Sequence, residues 1–109
     1  MNDLATKTCK PCEGGVEPFT AQQSAELLKQ LKGWTITDGK LVKLYAFANY
    51  YRTMAFVNAV AWIAHREDHH PDLHVGYNEC RVEYVTHAID GLSENDFICA
   101  AKCDALFHI

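Results

Sequence analysis

The sequence predicts an α+β fold: a four-stranded antiparallel sheet with three helices packed on one face, in the order α-β-β-α-β-β-α. Three observations predict it. The dipeptide Asp38-Gly39 lies between two β-prone runs, as in a hairpin, and a second pair of β-prone runs follows Pro71. Three other segments carry apolar residues at helical spacing. At 109 residues, 49% hydrophobic and 22% charged, the chain has the size and composition of one globular domain.

The first helix is predicted to begin at Thr20, because Thr20 and Gln23 fit a capping box. Gly33 suits the C-terminal cap of this helix. The stretch WTITDGKLVKLYAF then forms the first two strands, which turn at Asp38-Gly39. We therefore expect a helix followed directly by a hairpin.

A long helix is predicted from Asn49 to about His69, with two apolar stripes along its length. Pro71 ends it, because proline disfavours helical dihedrals at the preceding residue. The stretches LHVGYN and CRVEYVTH form a second antiparallel pair, and Ser93 is the expected N-cap of a last helix in GLSENDFICAAKCDALF. Helices on one face leave the other face of the sheet open, and oligomerisation is one way to cover it.

Charge and composition exclude several classes of function. A net charge of −4 with only 10 Lys and Arg argues against nucleic acid as a main partner. No apolar run is long enough for a membrane span, and the N-terminus lacks the apolar region of a secretory signal. Five cysteines without a framework spacing favour a reducing cytoplasm over a disulfide-stabilised fold.

Residues 1–18 are interpreted as a flexible N-terminal arm, since they contain Pro, Gly and few periodic apolar residues. Within this arm, Cys9 and Cys12 form a single CxxC. One such pair is only half of a zinc site, and no second pair with suitable spacing follows. The arm therefore predicts no function by itself.

The stretch HREDHHPDLHV, residues 65–75, contains four of the six histidines. His65 and His69 are four residues apart and could hold a metal on one helical face, with His70, His74 or His87 completing the site. A surface cluster near a helix end is the plainer interpretation. A third interpretation is acid–base chemistry, in which His87 approaches the His69-His70 corner across the antiparallel sheet.

The spacing of these residues resembles the signature of the pterin-4a-carbinolamine dehydratases. The signature consists of His65-x3-His69-His70-Pro71, then Tyr77 after five residues, His87 after nine more and Asp96 after eight more. The stretches DHHPDLHVGYN and THAIDGLSENDF and the pair Gly33-Trp34 are also similar to that family. The resemblance covers roughly residues 20–107 and implies a dehydratase domain at 19–109, with the same four-stranded antiparallel fold.

The resemblance implies the dehydration of 4a-hydroxytetrahydrobiopterin to quinonoid dihydropterin and water, without metal or organic cofactor. It implies that the catalytic residues are His69, His70 and His87. The substrate-binding residues implied are Asp68, His69, His70, Pro71, Val85, Thr86, His87 and Ala88. The expected partners are a pterin substrate, identical subunits in a homodimer or homotetramer, and an aromatic amino acid hydroxylase whose tetrahydrobiopterin is recycled.

Other interpretations stay open at this point. Similar proteins in animals act as dimerisation cofactors of a transcription factor, so a non-catalytic interaction module is one alternative. A metal-dependent enzyme that uses His65 and His69 is another. Asp96 belongs to the signature, but it lies three residues after Ser93, where a carboxylate can cap a helix. We therefore interpret Asp96 as mainly structural.

Overall fold

The computed structural model describes residues 4–11 and 17–107, and it confirms the α+β fold. The helices are α1 (Ala21–Leu28), α2 (Tyr50–Glu67) and α3 (Glu94–Phe107), with short 3₁₀ turns at Leu4–Thr6 and His87–Ile89. The strands are β1 (Thr35–Thr37), β2 (Lys40–Ala46), β3 (Asp72–Val75) and β4 (Glu79–Tyr84). Among the helices in these residues, none is long and apolar enough to cross a membrane.

The four strands form one antiparallel sheet in the order β1-β2-β4-β3. In the pairing of β3 with β4, Asp72 at the start of β3 lies opposite Glu83 near the end of β4. The chain just before β3 and the chain just after β4 therefore meet at the same end of the sheet. This confirms the expected approach of the His69-His70 corner to the end of the last strand.

One face of the sheet is buried beneath the helices. Five side chains of the two central strands are at most 1% exposed: Leu41, Tyr45, Cys80, Val82 and Tyr84. Full burial of an aliphatic side chain such as Leu41 or Val82 stabilises the fold by about 1.5–3 kcal/mol. On the opposite face Leu44 is 58% exposed and Arg81 is exposed. Along β4, buried residues alternate with more exposed ones, and this alternation fixes the face that the strand turns to the core.

The predicted turn and the first helix cap are confirmed. Asp38 and Gly39 both have positive φ, 51° and 77°, as a type I′ turn requires. Thr20 accepts a hydrogen bond from the Gln23 backbone, and the Gln23 side chain accepts one from the Thr20 backbone. The expected cap at Gly33 is wrong: α1 ends at Leu28, and a turn separates it from Gly33.

The end of α2 differs from the sequence prediction. The helix stops at Glu67 because Asp68 adopts the left-handed conformation, with φ 52°, and its backbone N–H bonds to the Ala64 carbonyl. The helix therefore ends at Glu67, before Pro71 can terminate it. His69 lies beyond the helix, so the expected pair of His65 and His69 on one helical face does not form.

Residues 4–11 of the segment assigned to the N-terminal arm lie against the domain. Leu4 is 1% exposed and belongs to the hydrophobic core. The Lys102 side chain donates to the Ala5 carbonyl, and Lys7 pairs with Glu94 at 3.0 Å. This part of the arm is thus attached to α3, whereas Cys12 lies outside the described residues. The domain boundary near residue 19 and the flexibility of the arm stay predictions.

Candidate active site

A cavity of about 520 Å³ lies where the end of α2, the end of β4 and the start of α3 meet. It is lined by Cys9, Lys10, Pro11, Arg66, Glu67, Asp68, His69, His70, Val85, Thr86, His87, Ala88 and Asn95. This volume lies within the usual range for a small-molecule site.

The structure brings most of the expected site residues together at this cavity. Those that line it are Asp68, His69, His70 and the segment 85–88, which includes His87. Pro71 is half-buried and does not belong to the lining. Nor does His65, which is exposed on the last turn of α2. Within residues 4–11 and 17–107, no group of three His, Cys, Asp or Glu side chains is arranged to hold a metal ion.

His69 is the most enclosed of the three histidines. Its Nε2–H donates to Asp96 Oδ1 at 2.6 Å, and its side chain is 11% exposed. The ring stacks on Tyr84, with centroids 5.9 Å apart and planes at 8°. Burial raises the pKa of Tyr84 well above its usual value, so this phenol stays protonated and acts as a neutral platform. His69 is therefore fixed in orientation, with one ring nitrogen occupied.

Asp96 is fully buried, and both of its oxygens are occupied. Oδ1 accepts from His69, while Oδ2 accepts from the Thr86 hydroxyl at 2.8 Å and from the Ser93 backbone N–H at 2.9 Å. The Ser93 hydroxyl lies 2.8 Å from Thr86 Oγ1, and because Thr86 donates to Asp96, Ser93 donates to Thr86. The expected helix-capping role of Asp96 is confirmed. Its hydrogen bond to His69, which the sequence did not reveal, adds a second role.

His70 and His87 are exposed, whereas His69 is mostly enclosed. His70 follows the left-handed turn at Asp68, and His87 opens the 3₁₀ turn after β4. Sequence patterning extended the last strand to His87, whereas β4 ends at Tyr84 and a bridge between Thr86 and Gly91 closes the loop. The centroids of the two imidazole rings lie 6.4 Å apart, with planes at 30°. Two imidazoles that can donate and accept protons thus border the same space.

The N-terminal segment supplies a wall that sequence patterning missed. Glu67 Oε1 accepts the Cys9 backbone N–H at 2.9 Å, and the Glu67 carboxylate is nearly fully buried. Asn95 accepts from the Lys10 backbone N–H at 3.0 Å and donates to the Lys10 carbonyl at 2.6 Å. Glu67 and Asn95 adjoin the motif residues Asp68 and Asp96 in sequence, but no pattern indicated that they hold a segment more than fifty residues away.

The lining combines charges of both signs. Arg66 and Lys10 contribute cations, Glu67 and Asp68 contribute carboxylates, and Val85 and Ala88 contribute apolar surface. Such a cavity suits a small polar molecule that forms hydrogen bonds better than a long apolar chain. The fold and the site together define a small α+β protein with a cavity lined by three histidines.

Comparison with known proteins assigns the family. Residues 17–106 match the family model described as pterin 4 alpha carbinolamine dehydratase, and the chain belongs to this family. The relatives are named for a hydro-lyase activity. The prediction of a hydro-lyase family is therefore confirmed, and membership supports pterin carbinolamine dehydratase activity.

Relatives are similar over nearly the whole chain. A protein of Nitrosospira multiformis, provisionally named pterin-4-alpha-carbinolamine dehydratase, is 63% identical over 109 residues, which cover 100% of this chain and 96% of the relative. A transcriptional coactivator/pterin dehydratase from Brucella melitensis superposes with a TM-score of 0.80 at 28% identity, covering 83% of this chain and 98% of that one.

A more distant solved structure is a pterin dehydratase-like protein identified as a RuBisCO assembly factor in the alpha-carboxysome. It superposes with a TM-score of 0.57 at 25% identity, covering 68% of this chain and 86% of that one. The fold therefore also occurs in a protein described by an assembly role.

Proposed function

We propose that this protein dehydrates 4a-hydroxytetrahydrobiopterin to quinonoid dihydropterin by histidine acid–base catalysis. The observation that carries the proposal is the convergence of His69, His70 and His87 on one cavity, with His69 held by a buried carboxylate. Family membership supports the pterin as the substrate class.

The reaction requires one proton to be delivered and another to be removed. A protonated imidazole gives a proton to the 4a-hydroxyl as the carbon–oxygen bond breaks, so that the hydroxyl leaves as water. A neutral imidazole takes a proton from a ring nitrogen, and the electron pair left behind forms the new double bond of the quinonoid ring. A positioned acid or base of this kind contributes roughly 10²–10⁴-fold.

The structure supports different parts for the three histidines. His70 and His87 are exposed, so they can exchange protons with both substrate and water and return to their starting states. His69 has Nε2 occupied by Asp96 and can act only through Nδ1. We therefore assign the two proton transfers to His70 and His87 in either order, and the contact that orients the pterin to His69.

A dehydratase assay with freshly generated carbinolamine tests this function. Replacing His70 or His87 singly by Ala is expected to lower kcat by about 10²-fold or more. His69→Ala should also lower kcat, because the pterin is then no longer oriented for the proton transfers. His65→Ala is the matched control, because His65 is an exposed histidine outside the cavity lining, and it should retain the wild-type rate. Wild-type turnover in both His70→Ala and His87→Ala would end the assignment.

We further propose that the dehydratase acts in the cytoplasm and returns the pterin of an aromatic amino acid hydroxylase to its recycling route. In a reconstituted hydroxylase reaction with limiting tetrahydropterin and a dihydropterin reductase, the wild-type protein should raise product yield. His87→Ala should not. Equal yield with and without the protein would argue against this role.

A non-catalytic interaction module is the second candidate. It is favoured by the two solved structures, one named a transcriptional coactivator/pterin dehydratase and the other identified as an assembly factor. The three cavity histidines favour the enzyme, because a pure interaction surface has no need of imidazoles in a cavity. Carbinolamine turnover separates the two candidates directly.

The proposed assembly is a homodimer or homotetramer. Large apolar side chains remain on the surface of the described chain, among them Tyr51 at 81%, Trp62 at 60% and Leu44 at 58% exposure. Exposed apolar surface of this kind often marks a contact between proteins. Light scattering coupled to size-exclusion chromatography gives the mass directly, and a monomer at all concentrations would contradict this expectation.

A further inference from the structure

We propose that Cys9 and Cys99 form a peroxide-sensitive modification site, a dithiol that closes to a disulfide and fixes the N-terminal segment as a wall of the cavity. The two Sγ atoms lie 3.5 Å apart although the residues are separated by 90 positions. Cys9 also lies 3.8 Å from the Asn95 carbonyl, to which its thiol donates. The pair is thus assembled by the tertiary fold.

The two thiols differ in how they meet the solvent. Cys9 is half-buried and lines the cavity, whereas Cys99 is fully buried on α3. A small peroxide in the cavity therefore reaches Cys9 first. Susceptibility to oxidation follows exposure and thiolate character.

The geometry allows the bond to close. A disulfide has its sulfurs about 2.05 Å apart, so the atoms must approach by roughly 1.5 Å. Cys99 lies on a helix, whereas Cys9 lies outside the helices and strands, so a small shift of its backbone breaks no helical or sheet pairing. The hydrogen bonds of the Cys9 and Lys10 backbones to Glu67 and Asn95 already hold that segment in place.

The chemistry takes place in two balanced steps. The Cys9 thiol reacts with hydrogen peroxide to give a sulfenic acid and one water, so the sulfur is oxidised and the peroxide oxygen–oxygen bond breaks. The Cys99 sulfur then attacks the Cys9 sulfur, loses its proton, and expels the sulfenic oxygen as a second water. The net reaction converts two thiols and one peroxide into one disulfide and two waters.

The hydrogen bond with Cys9, together with burial, raises the pKa of Cys99 well above its usual range. Cys99 therefore stays protonated until it attacks, which fits a resolving thiol better than an initial target. Because its proton must leave in the second step, disulfide formation should speed up as the pH rises.

Hydrogen peroxide treatment of the full chain, followed by alkylation and mass spectrometry, tests the site. The expected product has lost two hydrogens and links the tryptic peptides that contain Cys9 and Cys99. The Cys12→Ser variant should form the same link, since Cys12 takes no part. Cys103→Ala is the matched control, because Cys103 is also buried on α3 but its sulfur lies beside the Tyr84 hydroxyl, and it should form the link as well.

Two further variants make the result decisive. Cys99→Ala should abolish the link and leave a sulfenic acid at Cys9 that dimedone traps. Cys9→Ser should abolish both the link and the dimedone adduct, and it covers the case in which Cys99→Ala does not fold. A link between Cys9 and Cys12, or direct passage of Cys9 to the sulfinic acid with Cys99 still reduced, would overturn the proposal.

The effect on the cavity wall has a readout that is independent of the reaction catalysed. Hydrogen exchange in residues 4–11 should slow in the oxidised protein and return to its original rate with dithiothreitol. The midpoint of thermal unfolding should rise by more than about 5 °C, since the disulfide closes a loop of about 90 residues. Unchanged exchange in the oxidised protein would refute the fixing of the segment.

Discussion

At the scale of single residues, Asp96 both caps α3 and holds His69, two roles that no pattern in the sequence connects. One oxygen caps α3 through the Ser93 backbone, and the other holds the ring of His69. A carboxylate without exposed surface is stable only when its oxygens are well paired, and here three donors pair it. The position of His69 in the cavity therefore depends on Asp96, which lies in the first turn of α3, 27 residues further along the chain.

Asp96→Asn should lower kcat roughly 10- to 100-fold while leaving the fold intact. The amide keeps one acceptor for the cap, but its NH₂ group cannot accept from His69 Nε2–H, so the imidazole changes tautomer or orientation. The pterin is then no longer held in place for the proton transfers by His70 and His87, and a misplacement of about 1 Å can cost about 10²-fold. Carbinolamine turnover, the pH profile of kcat and the midpoint of thermal unfolding should be measured together.

Glu94→Gln is the control for this experiment. Glu94 is also a first-turn carboxylate of α3, but it pairs with Lys7 at the surface. Glu94→Gln should leave kcat and its pH profile unchanged. If Asp96→Asn also retained the wild-type kcat and pH profile, Asp96 would be a helix cap and nothing more.

The sequence could predict the cap but not the hydrogen bond to His69. A cap depends on residues three positions apart, and Ser93 and Asp96 have that spacing. The contact with His69 depends on how the end of α2 packs against the start of α3, which no local pattern specifies. The same limit explains why Glu67 and Asn95 were missed.

At the scale of elements, the N-terminal segment is held to the cavity by Asn95 on α3. Asn95→Ala should raise KM about fivefold with little change in kcat, because about 1 kcal/mol of support for the wall is lost while the histidines stay in place. Steady-state kinetics with the carbinolamine gives both constants. Lys7→Ala serves as the control, since Lys7 ties the same segment to the surface of α3 rather than to the cavity. A drop in kcat with KM unchanged would contradict this account.

Asp104 is the polar anchor between α3 and the sheet. It accepts hydrogen bonds from Trp34 Nε1, Lys43 Nζ and the Tyr45 hydroxyl. Burial and the bond to Asp104 raise the pKa of Tyr45 far above its usual value, so the phenol remains a donor. Removal of Asp104 leaves the Trp34 and Tyr45 donors without this acceptor. It also takes the carboxylate partner from the half-buried Lys43 ammonium, which keeps its hydrogen bond to the Lys32 carbonyl.

Asp104→Ala should therefore lower the free energy of unfolding by about 3 kcal/mol. Urea denaturation followed by tryptophan fluorescence measures it, with Trp34 as a direct reporter of the contact. Glu26→Ala removes a carboxylate from an exposed pair with Lys29 and should cost less than about 1 kcal/mol. Equal losses in the two variants would show that Asp104 is not a special anchor.

Helices and strands that depend on nearby residues could be predicted from the sequence. The residues at which they end were harder to predict. Asp38-Gly39 fixed the first hairpin because only few residues tolerate two positive φ values in a row. The end of α2 was placed too late because Asp68, which is not glycine, takes the left-handed position that terminates the helix. That choice depends on the surroundings of the corner, including its contacts with α3.

At the scale of the whole molecule, the outer face of the sheet has its own organisation. Glu83 on β4 lies within ion-pair distance of groups on three strands: Lys40 on β2, His74 on β3 and Arg81 on β4 itself. The order of elements along the chain could be predicted from periodicity. The strand order β1-β2-β4-β3, which brings these charges together, could not, because strand pairing depends on contacts between distant segments.

The ion pairs of Glu83 predict how the free energy of unfolding decreases at acid pH. The hydrogen bond from Arg81, with a smaller contribution from His74, lowers the pKa of Glu83 below its usual value of about 4.5. A carboxyl with a lower pKa in the folded state stabilises the fold at pH values above its unfolded pKa, and this stabilisation disappears as the pH falls through the folded pKa. Glu83→Gln should therefore lower the free energy of unfolding by about 0.5–1 kcal/mol at pH 7 and by progressively less below pH 4.5. Urea denaturation of both proteins between neutral pH and the acid transition measures the difference. A constant difference across that range would show that Glu83 stabilises the sheet through packing rather than through its charge.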